Sequence, residues 1–270
     1  MPRLDQELVT RGLARSRTHA AKLISDGKVS SGGNVLIKAA HQVDATTELD
    51  VESHLEDIYV SRAGHKLAGA LKAFPAVVVS GKRCLDAGAS TGGFTDVLLR
   101  RGAAEVVAVD VGHGQLVRHL REDPKVEVHE GLNVRYMTPE QIGGPAQLTV
   151  ADLSFISLTL VLWPLAQCTE PGGDLVLMVK PQFEVGRERL SRTGVVSSEN
   201  ERRRAVAQVA RAAADAGLEL RDLAASPLPG QDGNVEYFLW MTRRMSTELP
   251  KIEERDEDVA ALIKKLWPNH

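Results

Sequence analysis

Residues 82–94 read Lys-Arg-Cys-Leu-Asp-Ala-Gly-Ala-Ser-Thr-Gly-Gly-Phe. A short apolar run ends at Asp86, a loop carries Gly88, Gly92 and Gly93, and a helix-like stretch, GGFTDVLLRRGA, follows. Strand, glycine loop and helix in that order open a nucleotide-binding α/β unit. Glycines let a ligand approach the backbone, and the helix N-terminus points at it. Downstream, EVVAVDVG, VEVHEG, QLTVADLSF and DLVLMVKP are further strand-like runs. HGQLVRHLRED, SLTLVLWPLAQC and NERRRAVAQVARAAADAGL read as helices between or after them. This alternation predicts a parallel sheet with helices on both faces. LELRDLAAS and NVEYFLWMTR, joined by PLPGQDG, predict a closing hairpin, with an antiparallel strand at the end of the sheet. The expected fold is therefore α/β and Rossmann-like, with a seven-stranded, mostly parallel sheet.

Asp110 closes the second strand-like run at the offset, roughly 20 residues, where an acid grips ribose hydroxyls. A dinucleotide fold would space its glycines as Gly-x-Gly-x-x-Gly, but position 90 is Ser. Asp86, just before the loop, would repel a pyrophosphate and suits a ligand bearing a sulfonium and an ammonium. The pattern points to S-adenosylmethionine, with a dinucleotide as the alternative and a ligand-free turn as the plain reading. The residues expected around the cofactor are Asp86, Gly88, Ser90, Gly92, Gly93, Phe94, Asp110 and Asp152.

The 270 residues are 43% hydrophobic and 26% charged, with a net charge of −3, as expected of a globular chain with a sizeable core. The average hides an asymmetry. Residues 1–40 hold seven Lys/Arg against three Asp/Glu, whereas 44–57 hold six acids and no Lys or Arg. Cys84 and Cys168 are too few for a disulfide framework or a cysteine zinc site, and they suit a reducing cytosol. The start, MPRLDQELV, lacks the apolar core of a signal peptide, and the most apolar stretch, 156–168, is too short to span a bilayer. A cytoplasmic protein without metal or membrane partner is expected.

In the first sixty residues, Leu4, Leu8 and Val9 form a helical stripe ending at Gly12. Ser16 can cap a second helix bearing Ala20, Leu23 and Ile24, stopped at Gly27. KVSSGGNVLIK reads as strand, Gly-Gly turn and strand, and TTELDVES offers a third strand. Arg3, Arg11, Arg15, Arg17, Lys22, Lys28 and Lys38 lie along the helices and turn, where they would be either a solvated surface or a track for phosphates. The run from Arg3 to about residue 50 resembles an S4 RNA-binding domain, down to Arg-Ser-Arg opening the second helix and Gly-Lys-Val after it. That resemblance implies a small α+β unit over residues 1–56 that holds folded RNA through Arg3, Arg11, Arg15, Arg17, Lys22 and Lys28. No aromatic interleaves these bases, so backbone and shape contacts are expected rather than stacking. Residues 57–60 would be a short linker to the larger domain at 61–245, and 246–270 an acidic helical tail docked on the surface.

The fourth strand carries the clue to chemistry. Residues 151–155 are Ala-Asp-Leu-Ser-Phe, without the Asp/Asn-Pro-Pro-aromatic signature that holds a planar amino group for N-methylation. Pyrimidine C5 methylation needs a cysteine nucleophile, and both cysteines read as packing residues. What remains is Lys66 in SRAGHKL, Asp152 ending the fourth strand, Lys180 ending the fifth, and Glu236 in the last. Singly, Glu236 reads as a solvated-face charge and Lys180 as a side chain snorkelling at a sheet edge. In the order Lys-Asp-Lys-Glu they resemble the tetrad of ribose 2′-O-methyltransferases, the FtsJ-like superfamily. A neutral alcohol attacks a sulfonium slowly, so a base is needed, and a neutral lysine can serve.

SRAGHKL, LDAGASTGGFTDVLL, ADLSFISL, VKPQFE and the ASPLPG and GNVEYF blocks together resemble the haemolysin-type (TlyA) rRNA 2′-O-methyltransferases, over residues 3 to about 243. The resemblance implies a class I methyltransferase domain that uses S-adenosylmethionine to methylate cytidine ribose in ribosomal RNA, 16S, 23S or both, as naked RNA or in ribosomal subunits. It implies Lys180 as base, with Lys66, Asp152 and Glu236 completing the tetrad. The tetrapeptide Asp57-Ile58-Tyr59-Val60 departs from the family pattern and leaves Tyr59 as its one aromatic. Two other classes stand beside this reading. One is a non-catalytic ribosome-assembly factor, marked by cofactor binding without transfer. The other is a membrane-active haemolysin, which would need an amphipathic basic helix or barrel hairpins.

Overall fold

A computed structural model describes all residues except 1, 15, 16, 45, 52–58, 187, 189, 192, 247–250 and 269–270. The chain divides into two compact units, Met1–Val60 and Ser61–His270. Arg15, the Ser16 cap and residues 57–58 of the expected linker lie outside the described residues.

In the N-terminal unit, helices α1 (Leu4–Thr10) and α2 (Arg17–Ser25) precede strands β1 (Val29–Ser31), β2 (Asn34–Val35) and β3 (Asp50–Val51). The strands form an antiparallel sheet in the order β2-β1-β3. The stripe residues Leu4, Leu8, Ala20, Leu23 and Ile24 are buried with Val29 and Val43 in one small core. A core this size leaves little margin, and charge pairing reinforces it. Asp5 is buried beneath Arg3 and Arg17, with ion pairs of 3.0 and 2.9 Å.

The C-terminal unit begins with α3 (Arg62–Ala73), a helix the sequence reading does not supply. It continues through β4 (Arg83–Ala87), α4 (Gly93–Arg100), β5 (Glu105–Asp110), α5 (Arg118–Arg121), β6 (Val126–Glu130) and β7 (Ala146–Ala151). Then come α6 (Leu162–Gln167), β8 (Thr169–Val179), α7 (Pro181–Glu184), α8 (Glu199–Asp215), β9 (Leu218–Ala225), β10 (Tyr237–Arg243) and α9 (Ile252–Leu266). The seven strands are ordered β6-β5-β4-β7-β8-β10-β9. Pairs from β6 to β8 are parallel, and β10 is antiparallel to both neighbours.

The structure corrects several local expectations. The antiparallel strand is not the edge: β10 inserts between β8 and β9, because a tight return from β9 must run antiparallel beside it. HGQLVRHLRED yields only the single turn α5, since Gly114 at φ 65° and the extended Val117 delay the helix start. SLTLVLWPLAQC breaks into a 3₁₀ turn at Leu158–Leu160 and α6, where Pro164 falls in the first turn and needs no N–H partner. Asp152, Lys180 and Glu236 each lie one residue outside β7, β8 and β10 rather than within them. Strand ends free a side chain from the pleat, so these three face the C-terminal edge of the parallel sheet. In the tail, Val259 and Leu262 of α9 and Trp267 just after it are buried in the main core, and Arg211 pairs with Asp256 at 3.0 Å. Among the described residues, no helix is long and apolar enough to cross a membrane.

Candidate active site

The chain runs outward from β4 to β5 and β6, then returns to β7 on the other side of β4. That reversal opens a crevice at the C-terminal ends of β4 and β7, where open α/β sheets bind ligands. The loop after β4 fills its floor. Gly88 has φ 88°, and a Cβ there would stand 2.9 Å from the Asp152 carbonyl oxygen, so only glycine lets the two strand ends close together. Gly92, at φ 97°, turns the chain into α4 where Leu116 and Leu120 occupy the space of a side chain. Gly92 therefore serves packing and lines none of the cavities described below, whereas Gly93, Phe94 and Ser90 do.

Three cavities meet in this crevice. One of about 490 Å³ is bordered by Gly88, Asp110, Val111, Leu132, Asn133 and Ile156. A second, about 210 Å³, lies between Ser61, Gly93 and Phe94 on one side and Asp152 and Lys180 on the other. A third, about 680 Å³, is lined by Lys66, Lys180, Gln182, Phe183, Asn234 and Glu236. Ser154 borders all three.

The residues present fit S-adenosylmethionine. The first cavity offers apolar walls for a planar base and an acid for a ribose. Asp110 is held by backbone N–H groups, with Ser90 donating to Oδ2 at 2.8 Å and Gly112 to Oδ1 at 2.7 Å. Each oxygen keeps a second lone pair for a hydroxyl. The second cavity is floored by the α4 N-terminus and by Ser61 Oγ, a buried oxygen with no partner among the described residues. Beneath the loop, Asp86 is fully buried. It accepts from Thr95 Oγ1 at 2.7 Å, while its Oδ1 has no partner among the described residues. Burial pushes its carboxyl up to about 7, against the opposing pull of the Thr95 hydrogen bond. Asp86 borders none of the three cavities and lies beneath the loop that does, so it is not among the residues that line the expected cofactor site.

The charged residues singled out from sequence form two ion pairs, with Lys66, Lys180 and Glu236 lining the third cavity and Asp152 the other two. Lys180 Nζ lies 2.6 Å from Asp152 Oδ1 and donates to Ser154 Oγ at 2.9 Å. Lys66 Nζ lies 2.6 Å from Glu236 Oε2, and Gln182 Nε2 donates to Glu236 Oε1 at 3.3 Å. Register explains the meeting. Tyr237 pairs with Val179, so the start of β10 stands beside the end of β8, and Glu236 comes next to Lys180 across a 56-residue gap in sequence. The four side chains are largely buried, Lys180 at 9% and Glu236 at 2% exposure. Glu236 also depends on Gly230, where a Cβ would stand 2.6 Å from its Oε1.

Sequence reasoning missed Ser154, Phe155 and Gln182. Phe155 is 93% exposed, adopts φ 63°, and sits 5.4 Å from the Phe183 ring at the cavity mouth. A bulky residue held at positive φ in the open is unusual and marks functional sites. Its motif was legible, but its backbone conformation was not. The cysteines are excluded as nucleophiles, because burial pushes Cys84 up to about 12 and Cys168 up to about 11.

In the N-terminal unit the basic residues divide. Arg11 is spent on structure, donating to Glu7 Oε1 at 2.7 Å and to the carbonyl oxygens of Thr47 and Asp44 at 2.6 and 2.8 Å. Arg3 and Arg17 share Asp5 yet keep exposed flanks of 46% and 57%. Lys22 and Lys28 have no ion-pair partner among the described residues.

Comparison with known proteins agrees with this architecture. The FtsJ-like methyltransferase family matches residues 59–243 and the S4 domain family residues 2–49. The chain is 56% identical over 239 residues to the 16S/23S rRNA (cytidine-2′-O)-methyltransferase TlyA of Mycobacterium tuberculosis, covering 88% of this chain and 89% of that protein. It is 36% identical to Hemolysin A of Brachyspira hyodysenteriae, covering 87% of this chain and 98% of that one. A solved structure of a hemolysin candidate from Streptococcus thermophilus superposes with a TM-score of 0.70 at 36% identity, covering 99% of this chain and 98% of that one. Identity of this degree over nearly the full length, on a sheet and loop built for S-adenosylmethionine, shows that the chain belongs to the TlyA family of FtsJ-like methyltransferases, with an S4 domain at its N-terminus.

Proposed function

We propose that the protein methylates the 2′-hydroxyl of a cytidine ribose in ribosomal RNA, with Lys180 as the base. The observation that carries this reading is the join between the cavities: Lys180 and Ser154 border both the cofactor side and the lysine-lined side. An alcohol held there meets Lys180 Nζ at the edge of the cofactor cavity. S-adenosylmethionine would supply an electrophilic methyl group on a positively charged sulfur. Gly88, Ser90, Asp110 and the α4 N-terminus hold the cofactor, Asp86 supports their loop, and Asp152 borders both of its cavities. Lys180, in its neutral form, takes the hydroxyl proton at Nζ as the oxygen gains its methyl group. Asp152 and Ser154 keep Nζ aimed, and Lys66, neutralised by Glu236, supports the opposite wall. Phe155 beside Phe183 offers a flat apolar face on which an unstacked base can rest.

Residues 1–56 are read as the RNA-holding unit, using Arg3, Arg17, Lys22 and Lys28, with Arg15 as a further contact on sequence grounds. Residues 61–245 are read as the catalytic domain and 246–270 as a structural tail. Ribosomal RNA as substrate places the protein in the cytoplasm. The relatives carrying cytidine-2′-O-methyltransferase names support the nucleotide and the acceptor atom. The decisive experiment transfers tritiated methyl from S-adenosylmethionine to isolated ribosomal subunits and naked rRNA, then maps 2′-O-methyl positions. Label at the 2′-oxygen of cytidine, in 16S rRNA, 23S rRNA or both, is expected. Cofactor binding without label in any RNA would instead favour the non-catalytic assembly factor.

A further inference from the structure

Glu184 is a buried carboxylate that the chemistry above does not use. It ends α7, four residues after Lys180, and is 8% exposed. Burial raises its carboxyl from the ordinary value, against the opposing pull of its hydrogen bonds from Ser157 and Leu158. Its partners lie on the other catalytic segment. Ser157 Oγ donates to Oε2 at 2.5 Å, and the backbone N–H of Leu158 donates to Oε1 at 2.8 Å. Ser157 in turn caps the 3₁₀ turn at Leu158–Leu160, accepting from Thr159 N at 3.2 Å. The loop between β7 and this turn carries Asp152, Ser154 and Phe155, so Glu184 ties the segment bearing Lys180 to the segment bearing its two polar partners.

We propose that Glu184 is a positioning residue that sets the separation between Lys180 and the Asp152–Ser154 loop. Strands β7 and β8 are hydrogen-bonded only as far as Ala151 and Leu177, so beyond them nothing in the sheet ladder holds the two ends in register. A brace at the far end of the loop takes over that task. Both of its bonds use the carboxylate as acceptor geometry, and neither requires negative charge. An amide of equal length keeps both contacts: its oxygen accepts from the Leu158 N–H, and its NH₂ donates to Ser157 Oγ, which then accepts where it donated before. Reach therefore matters and charge does not.

The inference rests on Lys180 and Asp152 being the reacting pair, and Lys180→Arg tests that separately: if that variant turns over normally, the proposed base is wrong whatever Glu184 does. With wild-type turnover as reference, Glu184→Ala should lower kcat at least tenfold while the Kd for S-adenosylmethionine rises less than threefold, because Asp110 and the Gly88 loop do not depend on the brace. Glu184→Asp, charged but too short, should behave like Glu184→Ala. Glu184→Gln should recover most of the turnover with an unchanged pH profile. Should Glu184→Ala fail to fold, Ser157→Ala, which keeps the Leu158 bond, should fold with somewhat lower thermal stability from the missing cap and give a kcat loss of a fewfold. Folded Glu184→Ala with kcat within twofold of wild type overturns the proposal. So do Glu184→Asp restoring what Glu184→Gln does not, cofactor affinity falling in step with rate, and, where Glu184→Ala does not fold, unchanged kcat in Ser157→Ala.

Discussion

Two buried aspartates, one in each unit, have been pushed in opposite directions. Asp5, in the N-terminal unit, lies under Arg3 and Arg17, whose hydrogen bonds hold its carboxyl at about 2. Asp86, in the C-terminal unit, is hydrogen-bonded by Thr95 and has no cation partner among the described residues, and desolvation lifts it to about 7. Both are almost wholly shielded, at 4% and 0% exposure, so burial alone does not set a charge state. What decides it is whether a cation shares the site. The small unit uses paired charge to strengthen a thin core. The large unit has apolar core to spare and keeps an unpaired acid under its ligand loop. The same division runs through the lysines. Those of the N-terminal unit named above face water, while Lys66 and Lys180 are held by carboxylates at strand ends.

The contrast is broken most severely at Lys180. Lys180→Arg keeps the charge and the Asp152 pair but cannot take a proton, so rRNA methylation should fall by ~10²–10⁴-fold. Cofactor affinity measured by calorimetry should stay near wild type, because the lost interaction is made in the transition state. Near-normal turnover would leave positioning of the hydroxyl as the better account.

Next in size is Asp86. Its folded carboxyl, at about 7, lies above the unfolded value of 3.8, so the folded state holds a proton that the unfolded chain has released. Stability of the C-terminal unit should therefore fall as pH rises from about 4 to about 7 and then level off, by on the order of a few kcal/mol. Asp86→Asn should flatten that slope in urea titrations at pH 5.5 and 8. Identical slopes in the two proteins would show that Asp86 is ionised throughout.

Asp5 should show the opposite sign. Its stabilisation is present above the unfolded value of 3.8 and is lost as pH falls towards about 2. Because Arg3 and Arg17 are half exposed, solvent screening reduces the contribution to ~1 kcal/mol. Asp5→Asn should remove this acid sensitivity from the N-terminal unit, as followed by amide exchange on α1 and α2.

The smallest effect separates the two kinds of basic residue. Arg11→Ala should loosen the 44–47 segment, whose carbonyls it holds, and cost ~1 kcal/mol of stability. Lys22→Ala should leave stability unchanged and reduce the log–log salt dependence of rRNA binding by ~0.7–0.9 if it meets one phosphate. A salt slope that responds to Arg11 but not to Lys22 would reverse the assignment.

Much of this molecule is legible in one dimension. The apolar stripe of residues 4–24 and the run of strand-like segments from Lys82 to Arg243 carry their periodicity in the chain itself, because side-chain pattern and backbone repeat are local properties. Gly88 and Asp110 are legible for the same reason: a turn that closes on a ligand needs particular residues at particular offsets. Lys66 and Glu236, by contrast, stand 170 residues apart. Composition says only that both are charged, and their alliance was readable through family resemblance alone.

The sequence by itself determined most of the element types, though not α3, together with the cofactor loop and the identities of the charged residues at strand ends. The tertiary structure decided how they pair. Antiparallel insertion of β10 between β8 and β9 set Glu236 beside the end of β8, and the brace from Glu184 to Leu158 joined two segments that share no local pattern. The same holds for charge. Asp5 has Arg3 two residues away along the chain, but folding adds Arg17 to it and buries Asp86 against the Thr95 hydroxyl, and the energy of a buried charge depends on such groups far more than on residue type.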